Sequence, residues 1–157
     1  MVLTREIDVS RRGHADPHDL TEAVARLITD SGLRHGLVCL FTPSSTSALT
    51  TIEFEEGALD DLRQAFDRIA PVDIDYRHNR RWGDGNGHAH VRAALLGPSL
   101  VVPVADGRPL LGTWQQIVFI DFDVRPRRRK IVVQLLGEAA PAPAEVPRRA
   151  RARPPAP

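Results

Sequence analysis

One cysteine, one methionine and one tyrosine stand among 157 residues, and aromatic side chains make up only 5% of the chain. The lone Cys39 excludes an internal disulfide, and its place in the apolar run from Gly36 to Phe41 predicts a buried structural thiol. No apolar stretch approaches the roughly 20 residues a membrane helix needs, and the amino terminus carries no signal-peptide pattern. A soluble, reducing, cytoplasmic setting is the expectation. Glycine-rich nucleotide fingerprints are also missing. The run Gly83-Asp84-Gly85-Asn86-Gly87 lacks the preceding strand and the basic residue of a phosphate loop, so no nucleotide or flavin cofactor is expected. No Ser-His-Asp order marks a serine hydrolase.

Net charge is small as well, +1, but it is unevenly spread. From residue 139 to the end the chain carries Arg148, Arg149, Arg151 and Arg153 against Glu145, which leaves the body at about −2. A body of that charge lacks the basic face that nucleic-acid binding requires. The Ala/Pro/Arg-rich segment 139–157 has no apolar periodicity and is expected to be a disordered tail behind a single domain, residues 1–138.

What the body does contain is punctuated alternation of strands and helices. Arg5 to Val9 alternates, with Ile7 and Val9 inward, as a half-buried strand does. Asp16-Pro17 supplies an N-cap and a first-turn proline for a helix that places Leu20, Ala23, Val24, Leu27 and Ile28 on one stripe until Gly32 stops it. Strands are expected at Gly36 to Phe41 and at Ala48 to Phe54. A second helix then groups Leu59, Leu62, Phe66 and Ile69 before Pro71. After residue 99 come Leu100 to Val104, a turn at Ala105-Asp106-Gly107-Arg108, Leu110 to Trp114, Gln116 to Asp123 and Lys130 to Leu136. Consecutive strands joined by short turns favour antiparallel pairing. The class is α+β, a largely antiparallel sheet covered by two or three helices.

Chemistry concentrates in the middle. The chain has six histidines, and three of them, His78, His88 and His90, fall between Tyr76 and Leu95. Imidazole is the commonest metal ligand and titrates near neutrality. His14, His18 and His35 are expected at the surface. If Asn86 caps a helix running to Leu96, the side chains at 88 and 90 point about 200° apart, so only one of them, taken as His90, joins His78. Val91, Ala93, Ala94, Leu95 and Leu96 do not alternate, which favours that helix. A divalent ion, Zn²⁺ or Mg²⁺, would then need a further ligand from His88, Asp84 or Glu53 and an open position. A second possibility is anion recognition: backbone N–H groups of Gly87 to Ala89 at a helix start, with Arg92 adding charge, suit a small phosphorylated molecule. Ser44 to Ser47 form a polar loop after a strand, where a hydroxyl can touch substrate. Trp114 and Gln115 are expected as packing and hydrogen-bonding elements of a strand, and Trp82 as a pocket wall or subunit contact.

Several stretches together resemble the YjbQ-like proteins, commonly labelled secondary thiamine-phosphate synthase. They are Ser99-Leu-Val-Val-Pro103-Val-Ala-Asp106-Gly107-Arg-Pro-Leu-Leu-Gly112-Thr113-Trp114-Gln115-Gln116, Tyr76-Arg77-His78, Gly83 to His90, Leu96-Gly97-Pro98-Ser99 and Arg125-Pro126-Arg127-Arg128-Arg129. The resemblance runs from about residue 4 to Glu138. It implies a compact α+β fold, a homotrimer, a histidine-containing site near subunit boundaries, and a transferase that joins a pyrimidine diphosphate to a thiazole phosphate. His78, His90 and Glu53, which match family positions, are the catalytic candidates, and the chemistry of the residues themselves makes Asn86, Arg92, Asp84, Ser44 and Thr46 the substrate-binding ones. His78, His88 and His90 are the metal candidates. The chain departs from the family pattern at Ser44, where many members carry a histidine after the proline, and at Ile52, where the glutamate of an Asn-Glu-Asn segment has lost its first asparagine. A metal-dependent hydrolase of a small phosphorylated or acyl compound and a non-catalytic trimeric ligand-binding module are the alternatives.

Overall fold

The computed structural model describes residues 1–139 and is α+β throughout, with every strand pair antiparallel. In chain order the elements are β1 (Val2–Arg11), β2 (Asp16–Asp19), α1 (Thr21–Ser31), β3 (Leu33–Phe41), β4 (Ser47–Ile52), α2 (Glu56–Ile69), α3 (Arg77–Trp82), α4 (Gly87–Leu96), β5 (Ser99–Ala105), β6 (Arg108–Pro109), β7 (Gln116–Asp121) and β8 (Arg127–Ala139). They form two sheets, ordered β1-β8-β3-β5-β6 and β2-β7-β4. The segment expected to be a tail therefore begins as the last residue of β8, and 140–157 lies outside the described residues. Among the described residues no helix is long and apolar enough to cross a membrane.

Two cores share one strand. Ile117 and Phe119 of β7 face the first, where Val38, Leu40, Val102, Ile131, Val133 and Leu135 of the larger sheet meet Leu20, Val24 and Ile28 of α1. Val118 and Ile120, followed by Phe122, face the second, against Ala48, Phe66 of α2 and Ala89 and Ala93 of α4. A strand buried on both sides reads as a near-continuous apolar run, as 117–122 does. The Phe66 and Phe122 rings meet edge to face, 4.9 Å apart.

Four differences from the sequence reading have local causes. Asp16-Pro17 does not start α1: it opens an edge strand, where a proline without an N–H is tolerated, and Asp19 instead accepts the Thr21 N–H at 2.8 Å. Gly32, at φ 72°, does stop the helix. The strand expected over 110–114 is only Arg108–Pro109, because Gln115 folds back to accept the Gly112 N–H and leaves Trp114 69% exposed on a loop. Cys39 is only half-buried, on the outer face of the larger sheet. Finally, the described residues hold four helices, the extra one being the short α3 that carries His78.

Candidate functional site

The small side chains of Ala89 and Ala93 let α4 lie close on Ala48 of β4, and this fixes which way every other residue of the helix turns. His88 and Arg92, one turn apart, face inward. His90 and Ala94, also one turn apart, flank a solvent-reachable hollow. The N-cap position is Asn86, whose side chain does not cap the helix but accepts the Val124 N–H at 3.0 Å, tying α4 to the end of β7.

The approach of α3 completes the cluster. Gly87 sits so close to Tyr76 that a Cβ there would lie 2.4 Å from the Tyr76 Cβ, and its N–H donates to Asn79 Oδ1 at 2.8 Å. That contact sets His78 beside His90, with ring centroids 4.3 Å apart. Between them the Gly83–Gly85 turn presents Asp84. Its Oδ1 accepts the Asn86 N–H at 3.1 Å and its Oδ2 lies 3.2 Å from His78 Nε2. The Asn86 N–H bond holds the Asp84 carboxyl below its ordinary range, burial opposes it, and the His78 contact adds to the lowering. Asp84 is thus an anion beside two imidazoles. One ligand atom from each of His78, Asp84 and His90 lies within 4.8 Å of the others. Two histidines and one carboxylate on one side of a site form a donor set that fits a divalent transition metal with positions left open.

Asp84 and His90 of this trio line a pocket of about 540 Å³ whose far wall is the start of β8. Arg127, Arg128 and Arg129 line it together with Ser44, Thr46 and Asp123. Arg129 is tied down: Nε and Nη2 donate to the two oxygens of the fully buried Asp121 at 2.8 and 2.9 Å, and Nη2 also donates to Thr46 Oγ1 at 2.9 Å. Asp123 accepts from Thr46 Oγ1 at 3.1 Å and from Arg127 Nε at 3.2 Å. Burial pushes the Asp123 carboxyl upward, but the Arg125 N–H, the Thr46 hydroxyl and the Arg127 guanidinium together outweigh it and hold the group low.

His78, Asp84, Asn86 and His90 are therefore brought together, and Ser44 and Thr46 join them across the pocket. Three expected residues are not. His88 is 2% exposed with its Nδ1 unpartnered, and it stands apart from the His78–His90 pair, as the helical spacing required. Its pKa is lowered, first by burial and then by Arg92. Arg92 is 3% exposed and donates to the Ala70 carbonyl and to Asp67, so it holds α4 to the end of α2 rather than facing a ligand. The start of α4 offers no open anion cradle, because Gly87, His88 and Ala89 are buried and the Gly87 N–H is taken. Glu53 is exposed beyond the far end of β4, six residues past Ser47, about 20 Å of extended chain from the Ser44 loop. Trp82 is 66% exposed under the Arg81 guanidinium, at the surface end of α3.

Sequence reasoning passed over the acidic end of β7 and the basic start of β8. The signal was there in the pattern Asp121-Phe122-Asp123: charges two apart on an otherwise apolar strand share a face and demand cations.

The family model described as "UPF0047 protein YjbQ-like" matches residues 5–138. A UPF0047 protein of Archaeoglobus fulgidus is 42% identical over 118 residues, which is 75% of this chain and 89% of that protein. One from Mycobacterium tuberculosis is 37% identical over 126 residues, 80% of this chain and 90% of the relative. Among solved structures, a Sulfolobus solfataricus protein described as YbjQ-like and of unknown function aligns with a TM-score of 0.83 at 32% identity, covering 88% of this chain and 99% of its own. A YjbQ/UPF0047 protein of Clostridium acetobutylicum aligns with a TM-score of 0.77 at 31% identity, covering 84% and 99%.

Proposed function

The chain belongs to the YjbQ-like UPF0047 family, and we propose that it is a metal-assisted transferase of the thiamine-phosphate-synthase type, acting on small phosphorylated molecules. The observation that carries this reading is the convergence of His78 with Asp84 and His90, the latter two lining a pocket walled by arginines. The trio suits Zn²⁺, which when bound would supply positive charge to phosphate oxygens. The chain's own groups do the rest. Arg127 and Arg128 offset the charge of a diphosphate as it departs, and the Ser44 hydroxyl stands where it can donate to it, while Thr46, whose proton goes to Asp123, braces the wall. Asp84 orients the His78 ring through Nε2. In the transfer, the thiazole nitrogen forms a bond to the pyrimidine methylene carbon while the carbon–oxygen bond to pyrophosphate breaks, and pyrophosphate leaves with the electron pair.

Incubating the two precursors with the protein and Mg²⁺ or Zn²⁺ tests the reading, and the expected products are thiamine phosphate and pyrophosphate in equal amounts. No coupled product with either ion overturns it. The second reading is a metal-dependent hydrolase, favoured by a three-donor set that leaves a metal position for water. It is distinguished by phosphate release from a single substrate without coupling. Metal binding with neither outcome identifies a ligand-binding module. A cytoplasmic homotrimer completes the proposal, supported by the exposed Leu37, Phe41 and Val101 on the outer face of the larger sheet. Light scattering measures it.

A further inference from the structure

We infer that the substrate has two unlike ends, an apolar ring seated against Ala93 and Ala94 and an anionic group held by Arg128, with the bond between them beside His90. The inference rests on the functional reading above for the site of chemistry and adds the shape and specificity of the ligand.

Two hollows meet at Ser44, Ser45 and His90, which line both. One is the polar pocket already described. The other, about 330 Å³, runs along α4 between Ala93, Ala94 and Pro98 and has no charged side chain in its lining except the titratable His90. That volume lies at the small end of the range of ligand pockets and suits one ring. A larger side chain at 94 would fill it, since residue 94 is one turn beyond His90 on the same side of the helix.

The anionic end is assigned by which guanidinium remains available. Arg129 is engaged by Asp121 and Asp123, and Arg127 shares Asp123. Arg128 lines the same pocket, is exposed, and has no carboxylate partner among the described residues. An arriving phosphate pairs with it without displacing an internal carboxylate, the geometry that makes arginine a phosphate ligand.

Titration calorimetry on the full chain, with and without Zn²⁺, using methyl phosphate and phenyl phosphate as probes, tests the assignment. Phenyl phosphate is expected to bind at least about ten-fold more tightly than methyl phosphate, from burial of the ring. Ala94→Leu and Ala94→Met should bring that ratio to about one while leaving affinity for methyl phosphate and for Zn²⁺ unchanged. Arg128→Ala should weaken both phosphates about equally, by roughly ten-fold. Equal binding of the two probes by the wild type, an undiminished ratio in both Ala94 variants, or unchanged affinities in Arg128→Ala overturns the inference. Failure of the transferase reading looks different: the ring preference and its loss at Ala94 persist while no thiamine phosphate forms.

Discussion

Replacing Arg129 by alanine strands charge in a dry place. Its guanidinium is 15% exposed and supplies both oxygens of Asp121, which is 0% exposed and has no other cation against it among the described residues. Asp123 is better insured, because Arg127, the Thr46 hydroxyl and the Arg125 N–H remain. Removing one partner of a buried pair costs roughly 3–5 kcal/mol, most of it the penalty of the abandoned charge rather than the worth of the pair. We expect Arg129→Ala to lose about that much at pH 7 in urea unfolding, at fixed protein concentration and with an unchanged slope. The pH dependence identifies the cause. In the wild type Asp123 has its folded pKa depressed, so its contribution is fully present above the unfolded value near 4 and is lost as pH falls through the folded value. In the variant Asp123 keeps its remaining partners, and the stranded group is Asp121: protonating a buried carboxylate that has lost its cation relieves its penalty, so the gap between variant and wild type narrows as pH falls from 7 toward 4. A deficit below about 1 kcal/mol, or one that stays constant over that range, refutes the electrostatic account.

Three further outcomes separate site from scaffold. His78→Ala and His90→Ala should each weaken Zn²⁺ binding by about 100-fold in calorimetric titration, whereas His88→Leu leaves it unchanged, because only the first two converge with Asp84. Arg92→Ala should destabilise the fold by about 2–4 kcal/mol, through the lost bonds to Ala70 and Asp67, without altering metal affinity; thermal unfolding and the same titration read both. Gly87→Ala drives a methyl into Tyr76 and should cost about 1–3 kcal/mol while separating α3 from α4, so metal affinity falls together with melting temperature.

The legible parts of the sequence were those governed by local periodicity. Leu20, Val24 and Ile28 keep helical spacing and are all buried, and the Asp106-Gly107 turn does join β5 to β6. The 200° argument for residues 88 and 90 needed only the helix, and it separated the metal candidate from the buried imidazole. Contacts between distant segments were less legible. Asp16-Pro17 carries a sound helix-start signal, yet pairing with Ile120 and Asp121 overrides it. Arg92 looks free in sequence because nothing near it announces Asp67 and the Ala70 carbonyl, 25 and 22 residues earlier. The wall of Arg127, Arg128 and Arg129 reads as an ordinary basic turn until β8 is laid beside the Ser44 loop.

Because β7 has neighbours on both faces and on both edges, its amides have no private route to solvent. The helical layer that carries His90 rests on the same strand that closes the opposite interior, so melting either one exposes the other. Hydrogen exchange along 117–121 should thus report whole-molecule unfolding, and the helix that carries His90 inherits the rigidity of both packed sheets rather than that of ten residues lying on a surface.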